Sequence, residues 1–152
     1  MVKLLLPVVL AFFFTGSSVP ECVCVKDLHA SAAKVKAGRQ QLFDKATAVF
    51  EGKAISNDGY SVKFQLTKRW KGDEAGEVIL STGAVRGYDG TPLPEECSYQ
   101  FQLGERYLIY AFGSTDHMKA DSCSTFRMKD AAGEEMGLDQ IKPHQSIGAK
   151  QN

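Results

Sequence analysis

The clearest pattern along the chain is an alternation of apolar and polar positions over residues 60–70. Val62, Phe64 and Leu66 fall on one face of an extended segment, and polar residues fall on the other. A period of two predicts a strand with one buried face in an antiparallel sheet. Residues 48–55 are also β-prone and lead into an Asn-Asp-Gly turn, so the two segments are predicted to form a hairpin.

Three further segments complete a predicted set of five strands. Residues 77–82 form a short β-prone run, and residues 97–103 alternate again, with aromatic residues on the apolar face. Residues 106–113 are almost wholly apolar, which predicts a central strand buried on both faces. Residues 83–96, which contain several glycines and prolines, and the polar residues 114–119 are predicted to be loops.

Short helices are predicted on either side of the strands. Residues 25–45 carry a modest apolar stripe that is interrupted at Gly38, and residues 131–138 fit one short helix. Residues 139–152 form a polar tail. Five strands flanked by helices predict a mainly β fold, built as one domain around a small closed barrel.

The first residues have the layout of a secretory signal peptide. A basic residue precedes an apolar run over residues 4–14, which is too short to span a bilayer. Because the small residues Gly16 and Ser18 suit the positions before a cleavage site, the predicted peptide comprises residues 1–18 and the domain residues 19–138. The product is expected to be secreted to the extracellular space or the periplasm, with no membrane span.

Charge composition narrows the class of partner. The 152-residue chain has 18 basic and 18 acidic side chains, so its formal net charge is zero. A neutral balance supplies no field that would attract nucleic acid or an anionic membrane. The hydrophobic content of 43% favours an ordered core. The chain is therefore not expected to bind nucleic acid.

No cofactor, metal site of its own or catalytic set is predicted. The three histidines are widely spaced and fit no metal-ligand pattern, and no Ser-His-Asp set or pair of carboxylates stands out. The aromatic residues are explained more economically as core than as a surface for stacking nucleic-acid bases. The chain is therefore not expected to be an enzyme.

The four cysteines of an exported chain predict two disulfides. A bond between Cys22 and Cys24 would close a ring too small for normal disulfide geometry. Two pairings therefore remain: Cys22 with Cys97 or with Cys123, and Cys24 with the other. Either pairing ties the N-terminal end of the domain to its body at two adjacent points.

Several segments, taken in order, resemble the netrin-like module, whose members include the tissue inhibitors of metalloproteinases. They are Cys-Val-Cys at residues 22–24, AVFEGKA at 48–54, RWKG at 69–72, EECSYQFQLGERYLIYA at 95–111 and SCSTF at 122–126. The resemblance covers residues 22–138, which is nearly all of the predicted domain. No single segment is decisive, and the order of all of them carries the resemblance.

The resemblance implies a five-stranded OB-type barrel with short flanking helices, in agreement with the independent strand count. It also implies the disulfide pairing Cys22 with Cys97 and Cys24 with Cys123. The animal inhibitors have a third disulfide in this domain and a second, cysteine-rich domain, and this chain has neither. It is similar to single-domain relatives of the kind found among bacterial secreted proteins.

An inhibitory contact edge is also implied by the resemblance. In the inhibitors, the free α-amino group and carbonyl of the first cysteine in Cys-x-Cys chelate the catalytic zinc of the target protease. Carried over to this chain, Cys22 would be the chelator and Val23 would enter the specificity pocket. Cys24 and Val25 would continue the ridge. The adjoining edge would comprise Glu95, Glu96 and Ser98.

The predicted leader and the implied mechanism place different requirements on the N-terminus. Chelation needs a free amine on Cys22, whereas cleavage after Ser18 would leave Val19-Pro20-Glu21 ahead of it. Two functions therefore stand as expectations. One is inhibition of a zinc metalloprotease, and the other is a disulfide-stapled extracellular or envelope interaction module without inhibitory activity.

Overall fold

The computed structural model describes Cys24, residues 30–73 and residues 76–147. The predicted signal peptide lies outside these residues. The helices are α1 (Ala32–Lys45), a short 3-10 helix (Met128–Asp130) and α2 (Ala132–Ile141). The strands are β1 (Ala48–Asn57), β2 (Ser61–Lys71), β3 (Glu77–Ser81), β4 (Val85–Arg86), β5 (Pro92–Leu93), β6 (Arg106–Ser114), β7 (His117–Lys119), β8 (Thr125–Arg127) and β9 (Gln145–Ser146).

Five of the strands close into a barrel. The strand β1 pairs antiparallel with β2 on one side and with β6 on the other. From β2 the sheet continues through β3 and β7 to β6. Among the described strands only the β3–β7 contact is parallel, at Ser81 and Lys119. A closed five-stranded barrel with two short helices beside it confirms the predicted mainly β barrel of OB type.

The predicted β1–β2 hairpin is the longest pairing in the fold. Its register shifts at three places in β1, beginning between Val49 and Phe50. Each shift places an extra residue in one strand, which bends and twists the pair. Bending of this kind lets two long strands wrap around a narrow barrel instead of forming a flat ribbon.

Two groups of apolar side chains fill the structure, one on each face of β1 and β2. The group inside the barrel includes Phe50, Phe64, Leu80, Phe101, Tyr107 and Ile109. The group between the barrel and the helices includes Phe43, Val49, Trp70, Leu108, Tyr110 and Leu138. The alternation of residues along β1 and β6 between these two groups explains why both strands are buried on both faces.

The strand predicted at residues 97–103 is wrong. Ser98 makes only an isolated bridge to Asp121, and Leu103 lies in a turn with 60% of its surface exposed. The fifth strand of the barrel is β7 instead, in a segment predicted to be a polar loop. A three-residue strand with one buried side chain, Met118, is too short to show a period.

In that mispredicted segment, Phe101 is buried and Tyr99 is partly buried for another reason. Tyr99 and Phe101 pack against Tyr107, with ring centroids 5.6 and 5.2 Å from its ring. Alternation reports that one side of a segment is buried, and an irregular segment that covers a barrel meets this condition as well as a strand does.

The ends of the fold also differ from the predictions. The helix α1 runs through Gly38 without interruption, because one glycine inside a helix costs only about 1 kcal/mol relative to alanine. The helix α2 continues past Leu138 to Ile141, and β9 then pairs with β2. The described part of the predicted polar tail is therefore ordered by pairing with the barrel.

Lys71 joins β2 to the end of α1. Its ammonium donates to the carbonyl oxygens of Phe43 and Asp44, both at 2.9 Å, and lies 5.4 Å from the centre of the Phe43 ring. The last carbonyls of a helix have no partner within it, so a cation there satisfies them and opposes the negative end of the helix dipole. This contact fixes α1 on the barrel.

Trp70, the residue before Lys71, joins β2 to α2 through a side-chain hydrogen bond. Its indole Nε1–H donates to Asp139 Oδ1 at 2.8 Å, and the same oxygen lies 2.9 Å from His144 Nδ1. The next residue but one, Gly72, has φ +107°, and a Cβ there would lie 2.9 Å from the Cβ of Ala48. The RWKG segment at residues 69–72 thus holds both helices against the barrel.

No helix in the described part of the chain is long and apolar enough to cross a membrane.

Candidate functional site

A disulfide attaches the N-terminal side of the domain to the segment that follows β7. Cys24 and Cys123 are bonded, with their Cα atoms 5.1 Å apart and a sequence separation of 99. This is the pairing that the resemblance implies for Cys24. The other implied pairing, Cys22 with Cys97, involves Cys22, which lies outside the described residues; Cys97 itself carries no free thiol.

Main-chain contacts join the segment around Cys123 to the segment around Cys97. Ser122 N donates to the carbonyl oxygen of Cys97 at 2.9 Å, and Ser122 Oγ donates to the same oxygen at 3.2 Å. Beside them, Ser98 and Asp121 form a β-bridge. We call Cys24, residues 95–98 and residues 121–124 together the pinned edge, because one disulfide and these hydrogen bonds hold its parts in register.

Asp121 shapes the part of the pinned edge that carries the disulfide. Its carboxylate oxygen Oδ1 accepts from the main-chain N–H groups of Cys123 and Ser124, both at 2.9 Å. In return, Ser124 Oγ accepts from Asp121 N at 2.9 Å. This reciprocal turn fixes the direction in which Cys123 projects.

The other part of the pinned edge turns sharply at Cys97. Cys97 has φ +64°, the one positive φ among the described residues that are not glycine. That conformation costs a side-chain-bearing residue energy and persists where its surroundings fix it. Ser98 N donates to the Glu95 carbonyl at 3.1 Å and closes the turn. The turn leaves the side chains of Glu95 and Glu96 exposed.

A cavity of about 340 Å³ opens beside the pinned edge. Its lining includes Thr82, Glu95, Glu96, Ser98, Lys119 and Asp121. Three carboxylates face one ammonium in this lining, so the cavity presents excess negative charge to a partner. Its size is at the lower end of the range for ligand sites in proteins.

The structure brings together the predicted site residues that it describes. Cys24, Glu95, Glu96 and Ser98 all belong to the pinned edge, although Glu95 and Glu96 are far from Cys24 in sequence. The remaining predicted site residues, Cys22, Val23 and Val25, lie outside the described residues.

Sequence reasoning missed Asp121 and Ser122, which hold the two halves of the pinned edge together. The signal was an Asp-Ser-Cys-Ser sequence, since aspartate followed by small polar residues is typical of turns closed by a side chain. That signal indicates a turn, but the bridge from Asp121 to Ser98 depends on a contact across the fold.

Glu51, in the AVFEGKA segment, is a second polar feature that the sequence did not single out. Its side chain is fully buried. Its carboxylate accepts from Thr67 Oγ1 at 2.8 Å, pairs with Arg106, and lies 3.6 Å from Lys68 Nζ. Lys68 also pairs with Glu135 on α2. Because Glu51 is closed off from solvent by its partners, the cluster is structural: it links β1, β2, β6 and α2.

The chain matches no protein-family model, and no curated protein matches it significantly.

The chemistry that the pinned edge offers is that of a contact surface. Within the described ranges, no three His, Cys, Asp or Glu side chains are grouped so that they could hold a metal ion. The described part of the edge presents carboxylates, a serine hydroxyl and main-chain groups, all on a rigid support. Such a surface can recognise a partner by shape, charge and main-chain hydrogen bonds.

Proposed function

We propose that this protein is an exported netrin-like module that binds a zinc metalloprotease through the pinned edge and inhibits it. One observation carries the proposal. The Cys24–Cys123 disulfide and the contacts from Ser122 and Asp121 connect Cys24 to the segment that carries the exposed residues Glu95 and Glu96. This juxtaposition is the one that the resemblance requires of an inhibitory edge.

The inhibitory chemistry depends on the residues just before Cys24. A free α-amino group and the carbonyl of Cys22 make a five-membered chelate at the open position of a catalytic zinc. Val23 then enters the pocket that normally holds a substrate side chain. No catalytic group of the inhibitor takes part, and the protease supplies the metal.

The pinned edge contributes rigidity to the proposed binding. Cys24 is tied to a turn that Asp121 closes, and that turn is bonded to the turn at Cys97. A segment that is already ordered loses little conformational entropy on binding, so more of its contact energy appears as affinity. Glu95 and Glu96 extend the contact on the same support and favour a target with basic residues around its active-site cleft.

An interaction module without inhibitory activity is the second candidate. The predicted cleavage after Ser18 favours it, because Val19-Pro20-Glu21 would convert the amine of Cys22 into an amide and prevent chelation. In that case the same pinned edge would bind an extracellular or envelope protein through its carboxylates and main chain alone.

The state of the N-terminus distinguishes the two candidates. Intact mass and N-terminal sequencing of the exported protein establish the first residue. A start at Cys22 supports the inhibitor, and a start at Val19 rules out the chelating mechanism.

Inhibition itself is tested by titrating zinc metalloproteases of several specificity classes with a refolded chain that begins at Cys22. The matched control is the same chain with one alanine added before Cys22. We expect the first to inhibit at least one protease and the second to lose inhibition, because only the amine differs. Equal inhibition by both would contradict chelation, and no inhibition by either would leave the non-inhibitory module as the function.

A further inference from the structure

The strand β3 is paired along one side and nearly bare along the other. All five of its residues pair with β2, from Gln65↔Glu77 to Ser61↔Ser81. Its only pairing with β7 is at Ser81 and Lys119. Within the described residues, the edge of β3 from Glu77 to Leu80 therefore has no neighbouring strand.

Two hydrogen bonds between β2 and the ends of β3 show which groups of β3 face this free edge. Gly76 O accepts from Leu66 N, and Thr82 N donates to Tyr60 O, each at 2.9 Å. In an antiparallel pair, residues alternate between those bonded to the neighbour and those whose N–H and C=O point away. Every second residue, counted from Gly76 to Thr82, therefore directs its main-chain N–H and C=O groups toward β2. Glu77 and Ile79 lie between them and direct these groups away from β2, toward the free edge.

A groove of about 310 Å³ runs along the free edge. Buried side chains of the barrel, Phe50, Leu66 and Met118, form its floor, and Thr115 and Asp116, in the turn between β6 and β7, also line it. At Ser81, the last residue of β3, the single pairing with Lys119 joins β3 to β7. None of the residues of the pinned edge lines the groove.

The exposed charge at the groove is negative. Two cations line it, but both point into the protein: Lys71 caps the carbonyls at the end of α1, and Arg69 donates to the Asp73 carbonyl and to Gln145. The carboxylates of Asp73 and Asp116 line it as well, are exposed, and pair with no cation among the described residues.

We propose that this groove binds an extended, basic segment of a partner protein, which adds to the free edge of β3 as a strand. Glu77 and Ile79 offer main-chain donors and acceptors at the spacing that an added strand uses. The floor takes an apolar side chain of the segment, and Asp73 and Asp116 attract basic side chains that alternate with it. The site is separate from the pinned edge and does not depend on protease inhibition.

The proposal can be tested by selecting displayed random short peptides on the immobilised full chain and measuring the affinities of the enriched sequences. We expect enrichment of sequences that alternate apolar and basic residues, with binding that weakens as salt rises. Amide exchange of Glu77 and Ile79 should slow when such a peptide is bound.

Substitutions at Ile79 separate an added strand from a side-chain contact. Ile79→Pro removes one outward N–H that the fold does not use, and proline is tolerated on edge strands. We expect it to weaken peptide binding about tenfold or more, equivalent to about 1.4 kcal/mol. The matched variant Ile79→Thr keeps the N–H and should weaken binding by much less. Asp116→Asn should reduce the salt dependence.

The proposal is overturned if no alternating basic sequence is enriched, or if the enriched peptides bind Ile79→Pro and the parent chain equally. It is also overturned if the parent chain forms a dimer that Ile79→Pro abolishes, since a second copy would then occupy the edge. Should Ile79→Pro fail to fold, the selected peptide is methylated at alternate main-chain nitrogens. If methylation at one set of alternate nitrogens abolishes binding and methylation at the other set does not, the result supports an added strand. Equal binding by the two methylated peptides contradicts it.

Discussion

Arg39 of α1 and Glu134 of α2 form a two-point ion pair, with Nε 2.9 Å from Oε1 and Nη2 3.0 Å from Oε2. Both side chains are largely shielded from solvent. The hydroxyl of Tyr110, on β6, also donates to Glu134. The hydrogen bond to Glu134 raises the pKa of Arg39, and burial raises the pKa of the Tyr110 phenol well above its usual range. One carboxylate thus joins both helices to the barrel.

The first prediction concerns that carboxylate. Replacing Glu134 by Gln weakens hydrogen bonds from two donors, one of them charged, so we expect the free energy of unfolding to fall by about 2 kcal/mol. Urea unfolding followed by the fluorescence of the single tryptophan measures it. The matched control is Glu77→Gln, whose ion pair with Lys63 is exposed and should matter by less than about 0.5 kcal/mol. Similar losses for both variants would contradict the role given to Glu134.

The second prediction concerns the glycine beneath Arg39. A Cβ at Gly137 would overlap the Arg39 guanidinium, which would have to move and strain its ion pair with Glu134, so Gly137→Ala should destabilise the protein even though alanine favours helices. The control is Gly38→Ala in α1, where a Cβ meets open space and should stabilise by about 0.5–1 kcal/mol. Thermal unfolding of both variants shows whether each substitution raises or lowers the stability of the protein. A stabilising Gly137→Ala would show that Arg39 can leave its place over α2 without loss of stability.

The third prediction concerns the Cys24–Cys123 disulfide. It closes a loop of 99 residues, and a loop of that length restricts the unfolded chain by about 4–5 kcal/mol. We expect the double variant Cys24→Ser, Cys123→Ser to lose stability of that order and to speed amide exchange at Ser122. Ser122→Ala, which loses one side-chain hydrogen bond to Cys97, should cost only about 1 kcal/mol. Unchanged exchange at Ser122 in the double variant would mean that the disulfide does not organise the pinned edge.

The fourth prediction concerns pH and Asp139. Desolvation, the largest single influence, raises the pKa of Asp139, but the hydrogen bonds from His144 and Trp70 together lower it below its ordinary value. Because the folded-state pKa lies below the unfolded value of about 4, the carboxylate stabilises the fold above that pH. This stabilisation is lost as the pH falls through the folded-state pKa.

Unfolding free energies measured over a range of pH test this sign. Asp139→Asn should be less stable than the parent chain at neutral pH, and the difference should shrink below about pH 4. Asp44→Asn, which removes an exposed carboxylate that accepts a hydrogen bond from Gln40 on α1, is the control and should show little change. A difference for Asp139→Asn that persists at low pH would mean that its charge is not what stabilises the fold.

Local patterns predicted the parts of the fold that local physics decides. The alternation at Val62, Phe64 and Leu66 predicted β2, and the apolar run at residues 106–113 predicted β6, because burial on one or two faces dictates those patterns. The strand β7 could not be predicted this way, since it is defined by its partners in the barrel. The misplaced strand at residues 97–103 has the same cause, because its aromatic residues are buried without strand pairing.

The candidate site was predictable only in part, for a related reason. Glu95, Glu96 and Ser98 came from the resemblance of a whole segment, and the structure places them on the pinned edge with Cys24. The contacts that assemble this edge join residues far apart in sequence, such as Ser122 and Cys97. Composition and periodicity carry no information about such contacts.

The pairing of β1 with both β2 and β6 has a consequence for how the chain folds. The β1–β2 hairpin needs only a short turn, whereas the contact of Val49 with Tyr110 must bring together segments on either side of β2 and β3. Loop closure of that length costs entropy before it gains contacts, so we expect the hairpin to form early and barrel closure to limit the folding rate. Cys24 and Cys123 come together only when the segment after β7 has docked. We therefore expect the disulfide between them to form after the barrel has closed.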